Sequence, residues 1–157
     1  MEWALSNPDF SAETDFKRGL ESSRENRHEE ALEAFRRSIS TNPHYAEAYY
    51  NLGITLSNLG RWEEAVTAYR RLVEIKPDLA EGYFNLGAAY GTLGQHQAAV
   101  EALKQAIRLR PSYAEAHFNL GVAYLNLQNH VAAMGEYQLL NALDKSRADK
   151  LFGLIYK

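Results

Sequence analysis

The 157-residue chain has no cysteine and only four prolines. The first absence removes disulfide staples, thiolate nucleophiles and cysteine zinc sites, and fits a reducing, cytoplasmic setting. The scarce prolines are not scattered: three of the four stand 34 residues apart, at Pro43, Pro77 and Pro111. Cationic excess is missing too, since 17 Lys and Arg against 20 Asp and Glu leave a formal charge of −3. That balance offers no footprint for a phosphate backbone, so nucleic acid is not an expected partner. The opening "MEWALSNPDF" has no basic leader, no later apolar run is long enough to cross a bilayer, and no membrane partner is expected. What is there is 46% apolar and 24% charged, the composition of a globular unit able to bury a core.

The same 34-residue ruler spaces three near-copies of one octapeptide, "AEAYYNLG" at 46–53, "AEGYFNLG" at 80–87 and "AEAHFNLG" at 114–121. Four units follow, at 12–45, 46–79, 80–113 and 114–147, after an N-terminal extension over 1–11 and before a last segment at 148–157. Glycine holds position 8 (Gly19, Gly53, Gly87, Gly121), alanine position 20 (Ala31, Ala65, Ala99, Ala133), and a large apolar residue position 24 (Phe35, Tyr69, Leu103, Tyr137). Proline closes three units, and Lys145 takes its place in the fourth. Tyr49, Leu52, Leu56 and Leu59 follow helical spacing, as do Ala65, Tyr69, Leu72 and Val73 after the turn signal "NLGRW". Each unit is therefore expected to be two antiparallel helices, the second stopped by proline. Glycine inside a helix costs up to about 1 kcal/mol relative to alanine. Its recurrence with the position-20 alanines predicts close approach of the paired helices.

This pattern resembles the tetratricopeptide repeat, with an aromatic at position 4, Leu-Gly at 7 and 8, Ala at 20, a large residue at 24 and Pro at 32. The resemblance covers 12–147 and implies an all-α fold: an α-solenoid of four units, wound as a right-handed superhelix, with a C-terminal capping helix over 148–157. In the first unit Asp15, Arg18 and Ser22 replace the tyrosine and leucines of later units, as a wetter terminal helix requires. The "RADKLFGLIYK" segment aligns with the first helix of a fifth unit, but Leu151, Phe152, Leu154, Ile155 and Tyr156 cannot all point inward, so apolar surface is expected to remain there.

The resemblance also implies a concave groove lined by the first helix of each pair. Three ladders fall on it: acidic (Glu47, Glu81, Glu115), aromatic (Tyr50, Phe84, Phe118) and amide (Asn51, Asn85, Asn119), with Ile54 and Val122 beside them. An asparagine side chain both accepts and donates, so the amides can pair with an extended peptide backbone without reading its side chains. They are similar to the asparagine ladder in the helical-repeat groove of O-GlcNAc transferases. Hydrogen bonds worth about 1 kcal/mol each do not offset an association cost of at least about 4 kcal/mol, so aromatic burial has to add to them. Three bland readings stand beside these: asparagine at position 6 as a common residue of the repeat that meets water, rings packing on the next unit, and glutamates answering the helix dipole.

Other chemistries find little support. The lysines and arginines with which some family members clamp a carboxylate tail are absent, their places being held by Phe16, Leu20, Asn51, Glu81 and Asn85, or one unit later by Tyr50, Ile54, Asn85, Glu115 and Asn119. His28, His96 and His130 occupy equivalent positions with Trp62, too far apart to share a metal, and a packing role is expected of them. "HEEAL" lacks the second histidine of a zinc-protease helix, and no nucleophile elbow or phosphate loop occurs. No catalytic residue, metal or cofactor is expected. The chain reads as a non-enzymatic module that captures an extended segment of a partner protein. The alternative is a self-associating scaffold, a homo-oligomer joined through the C-terminal helix or through Trp3, Leu5 and Phe10 of the N-terminal segment.

Overall fold

The computed structural model describes residues 8–157, with side chains from Phe10 onward. Among the described residues every regular element is a helix: α1 Pro8–Arg24, α2 His28–Thr41, α3 Ala46–Asn58, α4 Trp62–Ile75, α5 Ala80–Thr92, α6 His96–Leu109, α7 Ala114–Asn126, α8 His130–Leu143 and α9 Lys145–Ile155. The fold is all-α, of the α-solenoid class. Two compact units divide it, one ending at Pro77 and the other beginning at Asp78. Trp3 and Leu5 lie outside the described residues, whereas Phe10 is exposed on α1.

One turn geometry recurs in all four helix pairs. Position 15 adopts the left-handed conformation, as Asn26 (φ 58°), Gly60 (φ 73°), Gly94 (φ 72°) and Gln128 (φ 58°). The next amide then reaches back five residues, Arg27 to the Ser22 carbonyl, Arg61 to Leu56, Gln95 to Tyr90 and Asn129 to Tyr124. Those bonds satisfy carbonyls that the helix end would leave orphaned. At the other end of the first three repeats, Asn42, Lys76 and Arg110 leave the helical region immediately before proline, the residue that forbids a further turn.

In the first unit α1 packs on α2 and α3 on α4. Its core holds Ala31, Leu32, Phe35, Leu52, Leu56, Tyr69 and Leu72. The nearest neighbour of the position-8 glycines here is the large residue at position 24: a Cβ at Gly19 would overlap the Phe35 ring, and one at Gly53 the Tyr69 ring. The close approach expected at these glycines is made most tightly with a ring. The polar residues of α1 are also less wet than expected, since Ser22 is buried and Asp15 is tied to Arg37 at 3.2 Å. Outside, Arg36 and Arg61 both reach Glu64, at 2.9 and 2.6 Å, linking α2 to α4.

The second unit has two clusters. Ala99, Val100, Leu103, Ala106, Ala116, Leu120 and Ala123 form one; Leu140, Ala148 and Leu151 form the other, beneath α9. Gly87 has Leu103 of position 24 on it and, beside that, the carbonyl of the position-20 alanine Ala99. Gly121 differs: the space above it is taken by Leu151 of α9 and the Cβ of Glu136. Asp144 opens α9 directly, its carboxylate accepting the Arg147 amide at 3.0 Å, so the final helix starts at Lys145. Of its five large residues only Leu151 is fully buried, and Phe152, Leu154 and Tyr156 are exposed.

Candidate functional site

In the second unit the first helices α5 and α7 stand on either side of an open recess of about 280 Å³. α5 supplies Gly87, Ala88, Gly91 and Thr92, α6 supplies His96, Ala99 and Leu103, and α7 supplies Asn119, Val122, Ala123 and Asn126. No Asp, Glu, Lys or Arg lines it. The recess has a sequence cause. Position 9 is Ile54 and Val122 in the flanking units but Ala88 here, and position 12 is Ser57 and Leu125 but Gly91 here. A Cβ on Gly91 would meet nothing within 4 Å, so the glycine is not demanded by packing within the protein.

Polar groups at the rim differ in what they have left to give. Thr92 Oγ1 donates to the Ala88 carbonyl at 3.1 Å, and Asn126 Nδ2 to the Val122 carbonyl at 2.9 Å. Asn119 makes no side-chain hydrogen bond among the described residues, so both its donor and its acceptor are left without a partner there. Asn85 likewise has no such bond but lies outside the recess. Asn51, in the first unit, donates Nδ2 to the Glu47 carbonyl of its own helix at 2.8 Å, which removes one of its donors.

The other ladders are partly consumed by the fold. Phe84 stacks on Tyr113 with centroids 4.9 Å apart, and the Arg110 guanidinium lies 4.6 Å from the Tyr113 ring centre. Glu81 pairs with Arg110, which holds its carboxyl below the usual glutamate range. Glu115 pairs with Arg147 of α9 at 2.6 Å. Phe118 and Val122 pack against the cluster under α9, while Tyr50 and Ile54 are half-buried in α3 and Glu47 is exposed. Asn119 and Val122 are therefore the expected groove residues that the structure brings together in one recess. Ala88, Gly91 and Asn126 were missed, although a drop in side-chain volume at positions 9 and 12 of one unit signals them.

His117 escaped the sequence reading as well. It is buried, its Nε2 donates to the Pro111 carbonyl at 2.8 Å, and one proton lies between Nδ1 and Glu136 Oε2, 2.6 Å apart. The signal is a paired change: His replaces Tyr at position 4 and Glu replaces the buried alanines Ala34, Ala68 and Ala102 at position 23. Of the histidines weighed for packing, His96 is half-buried at the recess and His130 is exposed. Among the described residues no group of three or more His, Asp or Glu is placed to hold a metal, and no helix is long and apolar enough to cross a membrane.

Helix pairs on a constant period, position-8 glycines under position-24 side chains in the first three pairs and a left-handed turn in every pair define an α-helical repeat protein. The chain belongs to the tetratricopeptide repeat family: profiles described as TPR repeat match residues 57–94 and 92–128, and profiles described as tetratricopeptide repeat match 34–67 and 12–45. No curated protein matches in sequence. Among solved structures, a crystal structure of MamA protein is 26% identical, with a TM-score of 0.89 over 93% of this chain and 81% of that one. A second MamA crystal structure is 28% identical, with a TM-score of 0.84 over 88% and 82%. MamA 41-end from Desulfovibrio magneticus RS-1, at 23% identity, 0.79 and 86% against 76%, shares the fold.

Proposed function

We propose that this protein-interaction scaffold holds an extended segment of a partner protein in the α5–α7 recess, without catalysis. A large uncharged side chain of that segment enters between Ala88, Gly91 and Val122, and its backbone pairs with Asn119. The observation that carries the reading is a solvent-open, charge-free recess lined by Ala88 and by Gly91, a glycine that packing within the protein does not demand, beside an amide with no partner of its own. Burying one such side chain contributes about 1.5–3 kcal/mol. Two hydrogen bonds to Asn119 add about 1 kcal/mol each. These terms only begin to offset an association cost of at least about 4 kcal/mol, so the neighbouring half-buried Phe118 has to contribute apolar area as well.

The test fills the recess. Leu125 shows that leucine is accepted at position 12, so Gly91→Leu should leave the helical melt intact while abolishing capture of partner peptides from a random display library. Asn119→Ala should weaken capture by about tenfold, the worth of one to two hydrogen bonds. Peptides that bind the Gly91→Leu protein as well as the parent would place recognition elsewhere.

A further inference from the structure

We propose that the solvent side of α8 is a contact surface for a second copy of this chain, the two helices meeting antiparallel about a two-fold axis. This surface is separate from the α5–α7 recess and does not depend on it.

The first observation is missing charge. The second helices of the other pairs are charged on their solvent faces, with Glu29, Glu30, Glu33, Arg36 and Arg37 on α2, Glu63, Glu64, Arg70, Arg71 and Glu74 on α4, and Glu101, Lys104 and Arg108 on α6. In α8 the one charged residue is Glu136, and it is turned inward onto His117. A helix stripped of charge on both sides is expected where both sides are covered. Val131, on that solvent side, is 86% exposed.

The second observation is shape. Val131, Gly135, Gln138 and Ala142 recur at i, i+4, i+7 and i+11 and so form one stripe along the helix. Their sizes read large, small, large, small. Laid antiparallel on an identical stripe, Val131 meets Ala142 of the second copy and Gly135 meets Gln138, so each large side chain faces a small one. A two-fold contact requires just this self-complementarity. Gly135 also has no reason inside the protein: a Cβ there meets nothing within 4 Å, unlike the position-8 glycines, yet glycine weakens the helix. No charge of either copy is brought against its like.

Val131, Gly135 and Gln138 of the stripe form one wall of an open groove of about 540 Å³, whose other lining residues are His130, Met134, Ile155 and Tyr156. Tyr156 is 66% exposed and packs at a tilt against Phe152, which adds an aromatic flank to the contact. One helix pair with this flank falls short of the about 800 Å² per partner of a standard interface, so the dimer is reversible and weak.

Sedimentation equilibrium of the full chain, from low micromolar to near-millimolar concentration, reads the association directly. A monomer–dimer equilibrium is expected. Gly135→Gln sets glutamine against glutamine and should weaken it by roughly tenfold or more. Adding Gln138→Gly to that variant exchanges the two sizes, restores the match and should recover most of the affinity. Circular dichroism should report unchanged helicity for the single variant, because the added side chain enters open space. A monomer at every concentration overturns the proposal and leaves the stripe to a different protein or to a further segment of a longer chain. A dimer indifferent to Gly135→Gln, or one that the second change does not recover, overturns it equally. Peptide capture in the recess is expected to survive all of these variants, so failure here and failure of the capture reading are separable.

Discussion

At the scale of single residues, glycine in this chain does three jobs that composition alone does not distinguish. Gly53 lies under the buried Tyr69 ring, Gly60 holds a left-handed turn, and Gly153 has open space where a side chain would be. Gly53→Ala gains up to about 1 kcal/mol of helix propensity but drives a methyl into a packed ring, an overpacking cost of about 1–3 kcal/mol, and should be a net loss. Gly153→Ala meets no such obstacle and should be stabilising. The turn position offers the complementary change. Gln128 adopts φ 58° where Gly60 and Gly94 stand in two other units, and left-handed backbone costs a residue with a side chain about 1–2 kcal/mol. Gln128→Gly should therefore stabilise the fold by about 1 kcal/mol and raise Tm by about 2–4 °C, readable in thermal unfolding.

The helices themselves show how far the sequence reaches. The 34-residue spacing of glycine, alanine and proline was enough for the helix pairs and for the family, because each of those residues answers a backbone or packing demand that recurs in every unit. The candidate site was less legible. A shared repeat position says which way a side chain leaves its helix, but not whether a neighbour has claimed it, and Arg110 and Arg147 claim Glu81 and Glu115 from distant points in the chain. What differs between units was the better guide: the small pair Ala88 and Gly91, the His117–Glu136 exchange, and the uncharged α8. At the final helix the local signal was Asp144. It is an N-cap just before Lys145, the residue that stands where the proline stop would be, and the Arg147 amide donated to it holds its carboxyl below the usual aspartate value. A folded value lowered from the ordinary 3.8 means that this cap is in full force above that pH and is lost as pH falls through the lower value. Asp144→Asn should keep the cap while removing its acid dependence, since asparagine caps about as well as aspartate. The Arg147 amide resonance reports it: it should titrate in the parent and stay flat in the variant, whereas Asp144→Ala should fray the start of α9 at every pH.

For the molecule as a whole, most contacts are local to a helix pair or its neighbour, and each of the two compact units has a buried core of its own. In such architectures stability is roughly a sum of unit terms and neighbour terms rather than a property of one indivisible core. The recess, its lining and Asn119 all belong to the unit that begins at Asp78, and α9 covers the end of that unit through Leu151. Residues 78–157 should therefore fold as a helical, cooperatively melting fragment of lower stability than the full chain, checked by circular dichroism. If the recess is where a partner's anchor side chain enters, this fragment should retain most of the peptide capture of the whole protein, within roughly tenfold in affinity. Residues 1–77 alone should show none. A folded 78–157 fragment that captures nothing would mean that recognition needs Tyr50, Asn51 or Ile54 of the other unit as well.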